Sequence, residues 1–212
     1  MTFLQGNAKV RIKICGITRV EDAAAAVAAG ADAVGFVFVS SRPRAISVEN
    51  AARIIGTLPP SVTPVGVFLR PSADEIRETA RVAGIRLAQV HEARDIDATD
   101  VSIPLLHAVR VGPEFNHSTL REWGMPEYLL DTHVPGLDGG TGQTFDWRVA
   151  AEAGKYARIV LAGGLTAGNV GRAIDVARPF AVDVSTGVET APGIKSAAMI
   201  EAFVKAVRAL DS

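Results

Sequence analysis

The sequence predicts an α/β protein: a single (β/α)8 barrel, the TIM-barrel architecture, spanning residues 1–212 as one domain. Three observations predict it. Strand-like and helix-like segments alternate eight times along the chain, which implies βαβ units and a parallel sheet. No linker, low-complexity tract or change of composition divides the 212 residues, a length at which barrels form single domains. No G-x-G-x-x-G stands between the first strand and its helix, so an open dinucleotide-binding sheet is the weaker alternative.

The elements follow in order. Val10–Ile14 reads as the first strand and Glu21–Ala29, rich in alanine, as its helix. Ala33–Val39 is the second strand. Val48–Leu58 is helical, with Ser47 as N-cap and Pro59–Pro60 as the stop. Val65–Leu69 precedes a helix that starts at Ser72, runs to about Val82 and closes at Gly84. Arg86–Val90 is the fourth strand. The segment Glu92–Val101 is short and polar, which predicts a clipped or irregular fourth helix. Leu105–Val111 and Tyr128–Leu130 are strands, joined through a short helix at Ser118–Trp123. Phe145–Ala153, Ala167–Ala177 and Ser196–Leu210 are helices around the strands Arg158–Ala162 and Phe180–Val184.

Composition removes several function classes. Lys and Arg number 22 against 23 Asp and Glu, so the basic excess of a dedicated nucleic-acid binder is missing. The single cysteine excludes an internal disulfide and any multi-cysteine metal site. The start, MTFLQGNAKVRIKI, has no secretory h-region. The most apolar stretch, Ala23–Val39, carries Asp32 in its middle and makes a poor membrane span. These features point to a cytoplasmic globular protein with no nucleic-acid, membrane or metal partner. They set no oligomeric state.

In such a barrel the active site lies where strands end. The residues standing there include Cys15, Arg42 and Arg44, His91, Asp131, Gly163–Gly164 and Ser185–Thr186–Gly187. Cys15 reads either as a small buried hydrophobe or as a reactive thiol. Strand alternation puts Arg11, Lys13 and Cys15 on one face, and the apolar Val10, Ile12 and Ile14 face should meet the helices. Lys13 and Cys15 then point inward, where an ammonium favours thiolate and makes a usable base. Lys13 also suits an ion pair with an inward acid such as Asp183, which is otherwise placed to hold substrate hydroxyls. Asp131 reads as a turn-forming aspartate or as a general acid with a burial-raised pKa. Pro135–Gly136 and Gly139–Gln143 form a glycine-rich loop beyond it.

The glycines Gly163 and Gly164, with Ser185 and Thr186, follow strands seven and eight. Barrels frequently grip phosphate with these two loops. Either Arg44 or Arg42 offers a planar fork to a carboxylate. His91 is a site residue or a satisfied polar side chain. His107, His117 and His133 show no metal spacing and read as surface or structural. Trp123, Phe145 and Trp147 read as helix packing.

Taken together these residues resemble the phosphoribosylanthranilate isomerase family. The resemblance runs over nearly the whole chain, through KICGIT at Lys13–Thr18, GADAVGFVF at Gly30–Phe38, SRPRAIS at Ser41–Ser47, VGVF at Val65–Phe68 and LLDT at Leu129–Thr132. It continues through GGTGQTFDW to Trp147, LAGGLTAGNV at Leu161–Val170 and RPFAVDVSTGVE, then PGIKS, to Ser196. Each motif is moderately specific; the ordered set is highly specific. The resemblance implies an Amadori rearrangement of N-(5-phosphoribosyl)anthranilate to 1-(2-carboxyphenylamino)-1-deoxyribulose 5-phosphate, without metal or organic cofactor.

It also implies roles: Cys15 as general base, Asp131 as general acid, Arg44 rather than Arg42 on the anthranilate carboxylate, and Gly163, Gly164, Ser185 and Thr186 on the phosphate. The chain departs from the family at Glu92, where QLHG becomes QVHE, at His107, where lysine is frequent, and in the shortened segment between His91 and Ala108. Two other readings compete. A histidine-pathway aminoaldose isomerase, or a bifunctional form, would carry aspartate in place of Cys15. A non-catalytic phosphosugar-binding barrel would have no need of Cys15 and Asp131.

Overall fold

The computed structural model describes residues 3–5, 9–132 and 144–210. The strands are β1 (Arg11–Cys15), β2 (Ala33–Val37), β3 (Thr63–Leu69), β4 (Leu87–His91), β5 (Leu105–Val111), β6 (Glu127–Thr132), β7 (Arg158–Leu161) and β8 (Ala181–Val184). They pair in parallel in chain order, and β8 closes on β1 through the register Lys13↔Asp183. The helices are α1 (Val20–Ala29), α2 (Val48–Ile55), α3 (Ala73–Ala83), α4 (Ala98–Val101), α5 (His117–Trp123), α6 (Trp147–Ala153), α7 (Val170–Ala177) and α8 (Ala197–Arg208). The eightfold alternation read from the sequence is this closed barrel.

Local chemistry accounts for most helix ends. Ser47 and Ser72 accept hydrogen bonds from the backbone N–H groups of Asn50 and Glu75, which start α2 and α3. Gly84 ends α3 at φ 78°, a left-handed conformation that suits glycine. α2 stops at Ile55, short of the expected Leu58, although Thr57 and Leu58 still bond back to the carbonyls of Ile54 and Ile55. α7 begins at Val170 rather than Ala167, because Thr166 N–H donates to Asn169 Oδ1 at 2.8 Å and turns the chain first. The fourth helix is clipped, as expected. It is four residues long, held by a capping box between Asp97 and Asp100, and stopped at Ser102 with φ 61°.

The core has two layers. Outward residues of the strands, such as Ile12, Ile14, Val34 and Phe36, pack against helix residues such as Ala23, Ile76 and Phe203. Inward residues Ala33, Val65, Leu87, Leu106, Leu129, Val160 and Ala181 fill the barrel. The alternation in β1 is therefore correct. Phe3 and Leu4, which carry no local strand or helix pattern, belong to the inner layer. Phe3 N–H donates to Thr63 Oγ1 at 2.8 Å and its ring meets Phe180, so the segment plugs the N-terminal end of the barrel. Burying such a ring contributes roughly 1.5–3 kcal/mol.

No described helix is long and apolar enough to cross a membrane. After β8 comes a structure the sequence analysis missed. A short 3₁₀ turn at Thr186–Val188 leads into a two-stranded hairpin, β9 (Glu189–Ala191) and β10 (Ile194–Lys195).

Candidate active site

The C-terminal ends of the strands enclose a cavity of about 480 Å³. Among its lining residues are Cys15, Arg42, Arg44, Gln89, His91, Arg110, Asp131, Gly163, Gly164, Asp183, Ser185 and Thr186. Of the strand-end residues picked from the sequence, all but Gly187 are there. His133 and the loop residues 135–136 and 139–143 lie outside the described residues.

Cys15 ends β1 beside Gly35 of β2. A Cβ at position 35 would lie 2.8 Å from Cys15 Sγ and 3.2 Å from Lys13 Cε. Only the missing side chain leaves room for thiol and ammonium together. Lys13 is fully buried and its Nζ lies 2.9 Å from Asp183 Oδ1. Lys13 and Asp183 pair, as expected, and Asp183 also lines the cavity.

Lys13 favours the thiolate of Cys15, as expected, but its pull is not the largest influence on the sulfur. Burial pushes the thiol above its ordinary value, and the nearby Asp183 carboxylate adds to that. Lys13 and Lys195 pull the other way without prevailing. The loss of water around the buried sulfur is the largest effect and outweighs the nearby ammonium.

Asp131 lies within β6, which runs two residues past the expected Leu130. Its carboxyl is pushed up to about 6, first by burial and then by Asp183; the Thr132 N–H, Arg110 and Lys13 hold it back. Thr132 N–H donates to Asp131 Oδ1 at 2.8 Å, the local bond the turn reading anticipated. A carboxyl in this range exchanges protons near neutrality, as a general acid requires.

At the mouth, Arg44 is no solvated loop arginine. Its Nε and Nη2 donate to the two carboxylate oxygens of Glu189 at 2.8 and 2.7 Å. Glu189 Oε1 also accepts from Lys195 Nζ at 2.7 Å. After β7, Gly163 and Gly164 take left-handed φ values of 88° and 62°. A Cβ on Gly163 would strike Thr132 Oγ1 at 2.2 Å, so β6 and the loop after β7 pack closely only with glycine there. Thr186 opens the 3₁₀ turn, and Ser185 lies on the cavity wall.

Two further residues, Gln89 and Arg110, line the cavity, and two more, Glu189 and Lys195, hold residues of its wall. Gln89 Nε2 lies 3.0 Å from His91 Nε2, and its buried Oε1 has no hydrogen-bond partner among the described residues. Arg110 on β5 pairs in register with Asp131. Alternation could have found both, since Leu87, Gln89 and His91 share a face, as do Leu106, Ala108 and Arg110. Glu189 and Lys195 carried no such signal, because they reach the site from the hairpin. Glu92 stays on the rim, its carboxylate 3.4 Å from Arg110 and 3.6 Å from Arg70. Its φ of 53° is a conformation glycine adopts more readily. His107 is buried, and burial holds its pKa down, in keeping with a structural role. Among the described residues no group of three or more His, Cys, Asp or Glu is arranged to hold a metal.

Known proteins share this arrangement. A family model described as N-(5'phosphoribosyl)anthranilate (PRA) isomerase matches residues 12–206. An N-(5'-phosphoribosyl)anthranilate isomerase of Pseudomonas putida is 51% identical over 203 residues, covering 94% of this chain and 98% of the relative. The crystal structure of phosphoribosyl anthranilate isomerase from Thermotoga maritima superposes with a TM-score of 0.86 at 42% identity, over 94% of this chain and 99% of that one. A phosphoribosyl anthranilate isomerase crystallised with reduced 1-(o-carboxyphenylamino)-1-deoxyribulose 5-phosphate gives 0.82 at 39% identity, over 94% and 99%. With its motifs in order along a closed barrel and their side chains lining one cavity, the chain belongs to the N-(5'-phosphoribosyl)anthranilate isomerase family.

Proposed function

We propose that the protein isomerises N-(5-phosphoribosyl)anthranilate to 1-(2-carboxyphenylamino)-1-deoxyribulose 5-phosphate, the Amadori step of tryptophan biosynthesis, by acid–base catalysis with Asp131 and Cys15. The observation that carries the roles is one cavity with a carboxyl raised to about 6 on β6 and a lone thiol on β1. The reaction needs both kinds of group. Asp131 gives a proton to the ribose ring oxygen, and the C1′–O bond breaks to leave a protonated Schiff base. The Cys15 thiolate then takes the C2′ proton, forming an enolamine. The enolamine gains a proton at C1′ and loses one from its C2′ hydroxyl, so the sequence is a net isomerisation.

The anchors follow the substrate's charges. Arg44 meets the anthranilate carboxylate at one rim. Gly163, Gly164, Ser185 and Thr186 meet the phosphate in the loops after β7 and β8, where glycine backbone gives close access to N–H donors. Asp183 and His91 lie between and suit the ribose hydroxyls. The single, unpaired cysteine suits a reducing cytoplasm.

The test is fluorimetric. Phosphoribosylanthranilate is generated in situ and loss of its anthranilate-type emission is followed with the wild type and with Cys15→Ser. Rapid loss that the variant abolishes supports both reaction and base. No loss above the uncatalysed rate, from a folded protein, overturns the reading.

A further inference from the structure

We infer that Glu189 is a positioning residue that fixes the spacing between the two anion-gripping ends of the site, and so tunes the site to a substrate carrying a carboxylate at one end and a phosphate at the other. The inference rests on the proposed roles of Arg44 and the Ser185 loop, and it names a residue to which those roles assign nothing.

The geometry is a bridge. Glu189 has a side chain only 5% exposed, and it binds two cations at once. Towards one rim it takes the Nε and Nη2 of Arg44, the side edge of the guanidinium. The Nη1–Nη2 edge is then the one that remains for a substrate carboxylate, in an orientation Glu189 sets. Towards the loop after β8 it takes the buried Lys195 ammonium. Lys195 in turn donates to the Ser185 carbonyl at 3.2 Å and the Ser185 hydroxyl at 3.4 Å, in the loop proposed to hold phosphate. One carboxylate thus ties the carboxylate end to the phosphate end through two ion pairs.

The bridge itself is anchored. Gly193 N–H donates to Glu189 Oε1 at 3.3 Å, and Thr18 Oγ1 donates to the Gly193 carbonyl at 2.6 Å. A Cβ on Gly16 would lie 2.6 Å from Arg44 Cδ and 3.2 Å from Ser185 Oγ, so both partners also press on the turn after β1. The hairpin of β9 and β10 has, on this account, a use: it carries Glu189 and Lys195 in antiparallel register under the mouth.

Two anchors held at a fixed spacing bind a ligand that spans them far better than either anchor binds its fragment, because the second contact is intramolecular. Misplacing one anchor by about 1 Å loses most of that gain. The loss therefore appears with the spanning ligand and hardly with the fragments. A merely structural residue would lower all of them alike.

The experiment measures binding of three probes to the wild type, Glu189→Gln and Glu189→Asp. The probes are reduced 1-(2-carboxyphenylamino)-1-deoxyribulose 5-phosphate, anthranilate alone and ribose 5-phosphate alone. In Glu189→Gln the spanning probe weakens at least about 10-fold while each fragment weakens less than about 3-fold. KM for the substrate rises by more than kcat falls, and Glu189→Asp, with its charge on a shorter arm, recovers part of the loss. Where Glu189→Gln does not fold, the same ratio of losses read in Glu189→Asp decides. Unchanged binding of the spanning probe, or equal loss on all three probes, overturns the inference for Glu189 alone. A wild type that binds none of the probes overturns the assignment of the two ends together with it.

Discussion

Lys13 of β1 places its ammonium 2.9 Å from Asp183 of β8, across the seam where the barrel closes. Burial opposes the charge on Lys13, but Asp183 outweighs it and the ammonium is held above its usual value. The same Asp183 carboxylate raises both Cys15 and Asp131. After burial, this ion pair therefore bears on the charge states of both Cys15 and Asp131.

The first prediction concerns proton placement. Asp131 ionises near 6, whereas Cys15 ionises above its ordinary 9.0. At neutral pH the free enzyme holds mostly carboxylate and thiol, and the proposed working pair of carboxylic acid and thiolate is its minor, proton-swapped form. Alkylation of Cys15 by iodoacetamide should then rise with pH through a midpoint above 9.0. Asp183→Asn should lower that midpoint, since it removes the carboxylate and frees Lys13. A wild-type midpoint at or below neutrality would contradict this account.

Chemistry should separate from binding. Cys15→Ala and Asp131→Asn should each lower kcat by at least about 10²-fold, the usual yield of one acid or base. Affinity for the reduced product analogue should stay within a few-fold, because the phosphate and carboxylate anchors are untouched. Near-normal turnover in either variant removes that residue from its role.

Stability should move the opposite way from activity at Asp131. Its folded pKa of about 6 exceeds the ordinary 3.8, so above pH 6 the folded protein holds a charge that the unfolded chain carries more easily. The cost is absent below 3.8, grows as pH rises to about 6 and is then constant. At about 1.4 kcal/mol per pH unit it reaches at most about 3 kcal/mol. Asp131→Asn should therefore be more stable than wild type by about 1–3 kcal/mol at pH 8, with no gain at pH 3.5. Urea midpoints at the two pH values decide it, and equal differences at both would count against the burial argument.

Gly35 gives a steric prediction. In Gly35→Ala the new methyl must displace Cys15 Sγ or Lys13 Cε, at 2.8 and 3.2 Å. The methyl overfills a packed interior, costing roughly 1–3 kcal/mol. Moving the thiol by a fraction of an ångström should lower kcat by roughly 10²-fold while the protein stays folded. Unchanged kcat alongside a normal circular dichroism spectrum would show that the thiol has room to spare.

Much of this protein is determined by sequence alone. Periodicity is local: the alternation of Lys13 and Cys15 with Ile12 and Ile14 fixes which face of β1 turns inward, and serine caps and glycine stops mark helix ends within a turn. The closed barrel follows from eight such units, and the site residues follow from strand ends. What the tertiary structure decided are quantities that depend on neighbours distant in the chain. Local spacing sets Lys13 beside Cys15, but the thiol is pushed up first by burial inside the closed barrel and then by Asp183, 170 residues from Lys13. Arg44 was read without Glu189, 145 residues away, because no local pattern joins a loop arginine to a later hairpin. Phe3 plugs the barrel floor through Thr63, a contact set by closure of the sheet. Backbone pattern is encoded over a few residues, whereas electrostatics and packing sum over everything that the closed barrel brings within a few ångströms.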